Sequence, residues 1–402
     1  MAGVTVTGGN NETVVLNVGS AQNALIAQEL ASIVSKSVAD GTLIAKNYTG
    51  LRLPPPIPGS VEEIVIKSPA AIFLAKEAKV VVNDSKSAVV FGGGAADEVV
   101  LSGAGNLTFF TRGGSGEIVT GDGNNRIIQT GAGGWNIQTG NGADSIVASG
   151  GSNTISAGGG HNSILLQRGD NLVNSTGQDS VVGLSGNLTV NAADNANNVV
   201  VTQGSGQLTF IGGTGNSTVL GGTGSVSVFA EGDGYFRGGT AGNNTIYVNS
   251  GKTTIYGGGN GDQLYAEGTA QARMYAGSGN ETLVGALGSG NNEFHAGSGA
   301  NNIMGGIGQD TIFGGHGQAT VQGGAGRDLF EFAHGKAGGS MLILDFASQD
   351  NDKIKLVGYA SDEADRALQT MRVSGGAATM TLSDNTKVTF ANVTDLSRSD
   401  FS

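Results

Sequence analysis

Apolar residues recur every nine positions along most of this chain, each at a fixed distance after a cluster of glycines. The clearest run is Gly305–Phe313, Gly314–Gln322 and Gly323–Glu331, which read GGIGQDTIF, GGHGQATVQ and GGAGRDLFE without a gap. Glycine fills the first, second and fourth positions of each window, and an apolar residue fills the eighth. The rhythm extends, with small slips, from about Gly92 to Glu331. Its eighth positions include Ile127, Ile137, Ile146, Ile155, Ile164, Phe210, Val219, Val228, Leu264, Leu283, Phe294, Ile303, Ile312 and Phe330.

Each window has room for one glycine turn and one short strand. Glycine is needed because the turn visits backbone angles that a β-carbon forbids. In the strand, side chains alternate between two faces, so the eighth residue points inward and its neighbours point outward. Two windows make one coil whose strands pair in parallel with the next coil, and stability comes from contacts between neighbouring coils. The pattern therefore predicts an all-β fold, a parallel β-roll or β-solenoid of about 13 coils and roughly 60 Å at ~4.7 Å per coil.

The segment before the repeats, 1–60, has a different pattern. Val4 and Val6 alternate before the Gly8–Asn11 turn, and Thr13–Val18 is a second strand of a predicted hairpin. Ser20 is the expected N-cap of a helix that ends at Ala39 and is stopped by Gly41. The apolar face of this helix is predicted to consist of Leu25 or Ile26, Leu30, Ile33 or Val34, and Val38. We interpret this face as a packing surface, with docking onto a neighbouring subunit as the alternative.

These patterns divide the chain into four predicted segments. Residues 1–60 hold the hairpin, the helix and a stiff connector built on Pro54, Pro55, Pro56 and Pro58. Residues 61–91 hold strands, at 61–66 and 79–83, that cap the start of the solenoid. Residues 92–337 form the solenoid, with insertions near Gly285–Gly288 and Leu166–Val182. Residues 338–402 form a β cap that contains a hairpin of Ala378–Leu382 and Lys387–Val393.

Composition excludes several classes of protein. The 72 glycines recur every nine positions, so the chain is not collagen, in which every third residue is glycine. The formal net charge of −12 repels nucleic acid, so we expect no nucleic-acid partner. No stretch reaches the roughly 18 apolar residues of a membrane-spanning helix. There is no cysteine, and the start of the chain lacks the basic and apolar regions of a Sec-type signal peptide.

The glycine positions, the aspartates Asp310 and Asp328 at the sixth position and the apolar eighth position resemble the nonapeptide of the RTX (repeats-in-toxin) family. This resemblance implies a calcium-binding β-roll that leaves the cell by type I secretion. Met341–Phe346 and Asp352–Leu356 are similar to the segment that closes RTX arrays. The final Asp400-Phe401-Ser402 resembles the acidic-aromatic tail of type I secretion substrates, which carry an uncleaved C-terminal signal.

Calcium takes six to eight oxygen ligands, which glycine turns supply as carbonyls and the sixth-position aspartate supplies as charge. A site needs two turns stacked on one edge, and therefore carboxylates that lie two windows apart in the sequence. Asp310 and Asp328 have this spacing, with carbonyls from Gly306, Gly308, Gly324 and Gly326. Asp262 and Glu281, about one coil apart, are a second predicted site. Asp144, which lies two windows before Asn162, is a third.

Elsewhere the sixth position has lost its carboxylate. Asparagine there is predicted to stack in a ladder of turn residues without metal, because it is neutral and tolerates the left-handed conformation. Trp135, which also occupies a sixth position, is interpreted as an exposed turn aromatic. Calcium is therefore expected mainly near the C-terminal end. The eroded sixth positions are Asn125, Trp135, Asn153, Asn162, Leu208, Ser217, Val226, Asn292, Asn301 and Ala319.

Catalytic motifs are missing from the sequence: there is no HExxH, no G-x-S-x-G elbow, and the four histidines lie apart. We therefore expect a structural protein and not an enzyme. The preferred hypothesis is a secreted solenoid that assembles head to tail, at the cell surface or beyond, into a filament, surface layer or biofilm matrix. One alternative is a monomeric adhesin or a glycan- or ice-binding solenoid, with cell-surface or matrix polysaccharide as partner. The other is a polysaccharide-acting enzyme with RTX repeats.

Overall fold

The computed structural model describes residues 2–8, 12–18, 21–48, 55–83, 85–285, 288–347 and 350–402. It consists of two compact units, Met1–Gly206 (unit 1) and Gln207–Ser402 (unit 2). Each unit is a parallel β-solenoid, and the chain holds about 16 turns in all. The predicted all-β parallel β-roll is thereby confirmed. Ser20, the residues 9–11 of the N-terminal turn, Pro54 and the insertion at 286–287 lie outside the described residues.

Unit 1 opens with an antiparallel hairpin of β1 (Ala2–Gly8) and β2 (Glu12–Val18), followed by helix α1 (Ala21–Ala39). Its solenoid has two parallel sheets. The even sheet contains β3 (Ile44–Tyr48), β4 (Glu62–Ile66), β6 (Ala78–Asn83), β8 (Glu98–Ser102), β10 (Gly116–Thr120), β12 (Trp135–Gln138), β14 (Thr154–Ser156), β16 (Asn171–Ser175) and β18 (Leu188–Ala192). The odd sheet contains β5 (Ala70–Phe73), β7 (Ser87–Phe91), β9 (Asn106–Phe110), β11 (Arg126–Gln129), β13 (Ser145–Ala148), β15 (Ser163–Leu166), β17 (Ser180–Gly183) and β19 (Asn198–Thr202).

The core of unit 1 lies between these sheets and is built from the predicted eighth positions. Ile137 pairs with Ile155 in the even sheet, and Ile127 pairs with Ile146 in the odd sheet. All the eighth-position residues named above, in both units, are buried as predicted. Parallel pairing already joins β3, β4, β6 and β8, so the strand pairing does not change at residue 92, where the repeating rhythm begins. The proposed division of the chain at that residue remains a prediction.

Helix α1 packs on the outer face of the even sheet in unit 1. Its buried residues Ala27, Leu30, Ala31 and Val34 share one cluster with three valines and one leucine that face outward from the sheet. These four, in register on consecutive strands, are Val65, Val82, Leu101 and Val119. On the next strands the same column becomes polar, with Gln138, Ser156, Asn174 and Asn191. The helix therefore covers the apolar part of the column, which supports the packing interpretation of its apolar face.

The predicted helix face is confirmed at Leu30 and Val34, which are buried. Leu25 and Ile33 are exposed, whereas Ala27 and Ala31 are buried. The face rotates toward the alanines because small side chains let the helix approach the sheet closely. The helix ends as predicted, because Gly41, which follows the last turn, has a left-handed φ of 70°.

A pair of leucines on α1 tests this packing. Leu30→Ala is expected to lower the free energy of unfolding by about 2–4 kcal/mol, because it leaves a cavity against the sheet. Leu25→Ala is the matched control on the same helix: Leu25 is 67% exposed, so its replacement should cost less than about 0.5 kcal/mol. Urea unfolding of both variants measures the difference. Equal effects would show that α1 does not pack on the sheet through this face.

The N-terminal end of the unit 1 core is closed by a buried ion pair. Lys46, in register with the inward-facing Ile64, places Nζ 2.6 Å from Glu62 Oε1. The same ammonium donates to the Pro55 carbonyl (3.0 Å), and the Ile57 N–H donates to Glu62 (2.7 Å). The segment after the prolines thus folds over the first coil instead of extending away from it.

Unit 2 continues the same architecture within itself. Its even sheet contains β20 (Leu208–Ile211), β22 (Val226–Ala230), β24 (Thr245–Val248), β26 (Gln263–Ala266), β28 (Thr282–Val284), β30 (Ala300–Gly306), β32 (Gln318–Gly324) and β34 (Ser340–Ile343). Its odd sheet contains β21 (Ser217–Leu220), β23 (Gly234–Arg237), β25 (Lys252–Tyr256), β27 (Gln271–Tyr275), β29 (Glu293–His295), β31 (Thr311–Phe313), β33 (Leu329–Ala333) and β35 (Lys353–Val357).

A C-terminal cap closes unit 2. It consists of α2 (Glu363–Thr370), β36 (Arg372–Ser374), β37 (Ala377–Thr381), β38 (Lys387–Phe390) and a 3-10 turn at Arg398–Asp400. The hairpin of β37 and β38 matches the predicted hairpin, and β38 pairs in parallel with β34. Helix α2 was not predicted. On the other sheet, the Ser402 N–H donates to the Ile354 carbonyl (3.0 Å), so the end of the chain lies against the last odd strand.

None of the helices in the described part of the chain is long and apolar enough to cross a membrane.

Candidate metal sites

The predicted ligands Asp310 and Asp328 belong to one buried column of unit 2. The column runs Asn292, Asp310, Asp328 and Asp352, one residue per coil, each just before a strand of the odd sheet. In every step the backbone N–H of one residue donates to Oδ1 of the next, over 2.7, 2.9 and 2.9 Å. The side chains are almost fully buried. One carboxylate oxygen of each aspartate is therefore used to hold two coils together.

The other oxygen, Oδ2 of Asp310 and of Asp328, is buried without a hydrogen-bond partner. Each Oδ2 lies beside the first glycine of its own turn. A β-carbon added at Gly305 would lie 2.7 Å from Asp310 Oδ2, and one at Gly323 would lie 2.5 Å from Asp328 Oδ2. The space around these oxygens therefore exists only because the turn begins with glycine.

Burial makes these carboxylates unfavourable as free anions. It raises the pKa of Asp310 to about 6. It also raises the pKa of Asp328 to about 7, and the charges of Asp352, Asp310 and Asp345 act in the same direction. A buried carboxylate of this kind is stable only when it is protonated or when a cation compensates its charge. At neutral pH the column favours a cation.

The four predicted carbonyl sources lie in the turns next to these carboxylates. Gly306 and Gly324 are in register on β30 and β32, and both have positive φ. The turns are stacked so closely that a β-carbon at Gly324 would lie 2.0 Å from the Gly306 carbonyl oxygen, and one at Gly326 would lie 2.0 Å from that of Gly308. Partnerless carboxylate oxygens and glycine carbonyls thus lie in the same turns. This donor set fits a hard cation such as calcium, which Asp310, Asp328 and these glycines would hold.

Side chains alone do not form a metal site here. In the described ranges, no three histidine, aspartate or glutamate side chains are arranged to hold a metal ion. A calcium ion would therefore take most of its ligands from backbone carbonyls, as the glycine-rich turns allow.

The comparison with known families agrees with this geometry. A model of the RTX calcium-binding nonapeptide repeat matches four times, at residues 138–173, 238–268, 288–321 and 295–330. Both units therefore contain RTX calcium-binding nonapeptide repeats. RTX nonapeptide repeats are calcium-binding, and the last two matches together span Asp310 and Asp328. No curated protein matches the chain.

Two acids near the last RTX coils were missed. Asp352 extends the column beyond Asp328, and Asp345 accepts the N–H groups of Gly323 and Gly324, both at 2.9 Å. The step from Asp328 to Asp352 is longer than two windows, so the regular rhythm could not place Asp352 in the column. Both lie in or beside the two segments that were predicted to close the array, and this was the available signal.

Asp262 and Glu281, the second predicted pair, are stacked in adjacent coils but differ from the first pair. Asp262 Oδ1 accepts the Asn244 N–H and side-chain amide, and Oδ2 accepts the N–H groups of Gly258 (2.6 Å) and Gly259 (3.0 Å). Glu281 accepts the Gly279 N–H (3.0 Å), and its Oε2 has no partner. Because the turn N–H groups already stabilise the negative charge of Asp262, a cation would stabilise this RTX repeat less.

Asp144, the third predicted ligand, lies in an equivalent column of unit 1. The column runs Asn125, Asp144, Asn162, Asp179 and Asn198, and each backbone N–H donates to Oδ1 of the next residue. Burial raises the pKa of both Asp144 and Asp179, and neither Oδ2 has a partner. Asp179 was missed because it lies within the slip at Leu166–Val182. Here an asparagine separates the two acids, so the negative charge per coil is lower than at Asp310 and Asp328.

The asparagine ladder was predicted, but its physical reason was wrong. The sixth-position asparagines of both units stack as expected and are buried. None of them has a positive φ, so the left-handed conformation is not what selects asparagine. Asn153 shows the actual reason. Its Oδ1 accepts the Trp135 N–H (3.0 Å) while its Nδ2 donates to the Gly150 carbonyl (3.1 Å), so one amide joins the coil before it to its own turn.

Trp135 was wrongly predicted to be exposed. Its side chain is 2% exposed and lies in the core, edge to face with Phe109 at a ring-centroid distance of 6.1 Å. The sixth position points inward. A large apolar side chain there fills the interior of the coil, whereas a polar side chain forms hydrogen bonds to the neighbouring coil.

Proposed function

We propose that this chain is a secreted, calcium-assisted structural β-solenoid that self-associates in an extracellular filament, surface layer or biofilm matrix. The observation that carries the calcium part is the pair of partnerless, buried carboxylate oxygens of Asp310 and Asp328 beside stacked glycine turns. A cation there compensates the buried charge and links the last coils. Calcium would therefore act as a folding ligand, and binding free energy would become folding free energy.

A structural role, and not catalysis, is supported by the positions of the apolar and acidic side chains. In both units the space between the sheets is filled by apolar columns such as Ile118, Ile137 and Ile155. The acids described above are buried in the turns, where they join coils. We therefore propose that the protein is not an enzyme.

Export in an unfolded state follows from calcium-dependent folding. RTX repeat proteins are typically secreted. If calcium is scarce inside the cell, the buried aspartates oppose folding until the chain reaches the outside. The tail Asp400-Phe401-Ser402 is packed against Ile354 in the folded chain, with Phe401 buried. A secretion signal in this tail would thus be accessible before folding and become part of the cap afterwards.

Head-to-tail assembly has less support than lateral assembly. The predicted head-to-tail contact relied on open solenoid ends and on a free N-terminal helix, but α1 packs on its own sheet. In unit 1, Lys46 and Glu62 close the first coil, and in the cap of unit 2, β36 is a short, exposed strand that begins with Arg372. Short, charged edges discourage further strand pairing. We therefore propose contacts between sheet faces.

Refolding with and without calcium tests this function. Denatured protein is diluted into calcium or into chelator and followed by circular dichroism and electron microscopy. We expect a larger β signal in calcium, together with ordered assemblies at high protein concentration. Uniform single particles in calcium at every concentration would contradict self-association. Identical spectra in calcium and chelator would contradict the calcium part.

A second candidate is a glycan-binding surface on the even sheet of unit 2. A groove on its outer face is lined by Thr282, Asn302 and Thr320, which are in register on consecutive strands, and by Lys387. Polar side chains repeated at strand spacing suit the hydroxyl groups of a sugar polymer. A screen against extracellular polysaccharides tests this candidate, and failure to bind any of them would remove it.

A further inference from the structure

The odd sheet of unit 1 carries an uninterrupted apolar column on its outer face. We call it the outer column; it has one residue on each of eight consecutive strands: Phe73, Phe91, Phe110, Ile128, Val147, Leu165, Val182 and Val201. The first three rings stack face to face, with centroids 4.3 and 4.6 Å apart. Phe73 is 65% exposed, and the other seven side chains are partly exposed.

The neighbouring column on this face is composed mainly of small residues: Ala71, Val89, Thr108, Arg126, Ser145, Ser163, Ser180 and Val199. The two columns contain one charged residue, Arg126, and no acid. The chain as a whole has a net charge of −12. Two copies of the protein repel each other over most of their surface, and this face is free of the acids that cause the repulsion.

The even sheet of the same unit also has an apolar outer column, and there another element covers it. There, the outward residues are apolar at Val65, Val82, Leu101 and Val119, under α1, and they become polar from Gln138 onward. In this sheet the apolar part of the column is the part that α1 covers. Among the described residues, α1 shares a hydrophobic cluster with the even sheet, and no residue of the outer column belongs to that cluster.

We propose that the outer column of a second copy of this chain covers this face. The column is about 34 Å long, at ~4.8 Å per strand, and a partner that matches it must repeat at the same spacing. A second copy provides that spacing, and the serines beside the column allow two sheets to approach to about 10 Å. This proposal rests on the self-association in the proposed function and names the surface that performs it.

The size of the face places the contact among known classes of protein interface. A face about 34 Å long and about 15 Å wide covers roughly 500 Å² on each copy, or roughly 1,000 Å² in total. This is at the lower end of specific protein interfaces, so a single contact is expected to be weak, in the micromolar range. Because the same column is used by both copies, this contact closes into a dimer, and a larger assembly would need a further contact elsewhere on the dimer.

Sedimentation velocity in calcium, over a concentration series, tests the proposal. Wild type should show a sedimentation coefficient that rises with concentration. Val147→Lys, which places a charge in the middle of the outer column, should raise the dissociation constant at least tenfold. Thr154→Lys is the matched control, because Thr154 faces outward on the even sheet at a neighbouring strand. It should associate like wild type.

Each other outcome overturns the proposal in a distinct way. Association that Val147→Lys leaves unchanged would exclude this face but leave self-association intact. A wild type that stays monomeric would exclude both, while circular dichroism of the same sample still reports calcium-dependent folding. If monomers bound phosphatidylcholine vesicles through Val147, the face would be a membrane-binding surface. This result would also contradict the proposal that a second copy covers it.

Crosslinking keeps the test valid if Val147→Lys fails to fold. The chain has no cysteine, so single cysteines can be placed freely. Ser145→Cys lies beside the outer column, and Thr154→Cys lies on the other sheet. A bismaleimide that spans about 10 Å should yield dimers of Ser145→Cys in several-fold excess over dimers of Thr154→Cys. Equal yields from the two variants would overturn the proposal.

Discussion

Replacing Asp310 and Asp328 together by asparagine is expected to make the stability of the fold largely independent of calcium. The change keeps Oδ1 as an acceptor for the coil before it and removes the charge on each partnerless Oδ2. The variant should therefore be more stable than wild type in chelator, by a few kcal/mol, because it buries no uncompensated carboxylate. In calcium it should lose most of the stabilisation that wild type gains. Urea unfolding with and without calcium measures both effects.

Asp262→Asn is the matched control, since it changes the same kind of residue in another coil of the same unit. Its carboxylate accepts hydrogen bonds on both oxygens, including those of Gly258 and Gly259. The substitution should weaken these bonds and destabilise the chain by about 1–2 kcal/mol in calcium and in chelator alike. If the double variant at Asp310 and Asp328 kept the full response to calcium, the assignment of the site would be wrong.

In the absence of calcium, wild type is expected to become less stable as the pH rises from about 4 to about 7. The folded pKa values of about 6 for Asp310 and about 7 for Asp328 exceed the ordinary value of 3.8. Between these values the folded chain binds more protons than the unfolded chain, so raising the pH removes stability. The loss is on the order of 3 kcal/mol for Asp310 and on the order of 4 kcal/mol for Asp328. Calcium should abolish most of this pH dependence, because it replaces the proton.

Unfolding curves in chelator between pH 4 and pH 8 check this prediction. The variant with asparagine at both positions should keep only a smaller slope. Part of that remainder is expected from Glu98 in unit 1, whose pKa burial raises to about 6. A wild type whose stability in chelator rises with pH over this range would show that the buried carboxylates are already compensated in some other way.

The sequence predicts the repeating parts of this molecule well. Every coil needs the same inward residue and the same turn, so Ile137, Ile155 and the other eighth positions could be assigned from their spacing alone. The stacking of Asp310 on Asp328 also followed from spacing, since they are separated by two windows, whereas their binding of calcium stays a prediction. The regular period translates directly into position along the solenoid.

Residues outside the strict period could not be placed from the sequence. Asp179 lies in a coil of changed length, and Asp352 follows a longer coil that passes through the closing segments. Trp135 was misjudged because the sixth position was taken to face solvent, whereas the polar residues there are buried and bonded between coils. Helix α2 was missed since it is only 8 residues long, too short for its apolar pattern to stand out.

Hydrogen exchange on the full chain, in excess calcium and in chelator, decides whether calcium organises the last coils. We predict that calcium strongly slows exchange in the coils of residues 300–357, where Asp310, Asp328 and Asp352 are stacked. Exchange in the coils of residues 120–175, which are joined largely by hydrogen bonds to asparagine side chains, should change much less. Equal protection of both regions, or no protection at Asp310 and Asp328, would contradict calcium binding at this end of the solenoid.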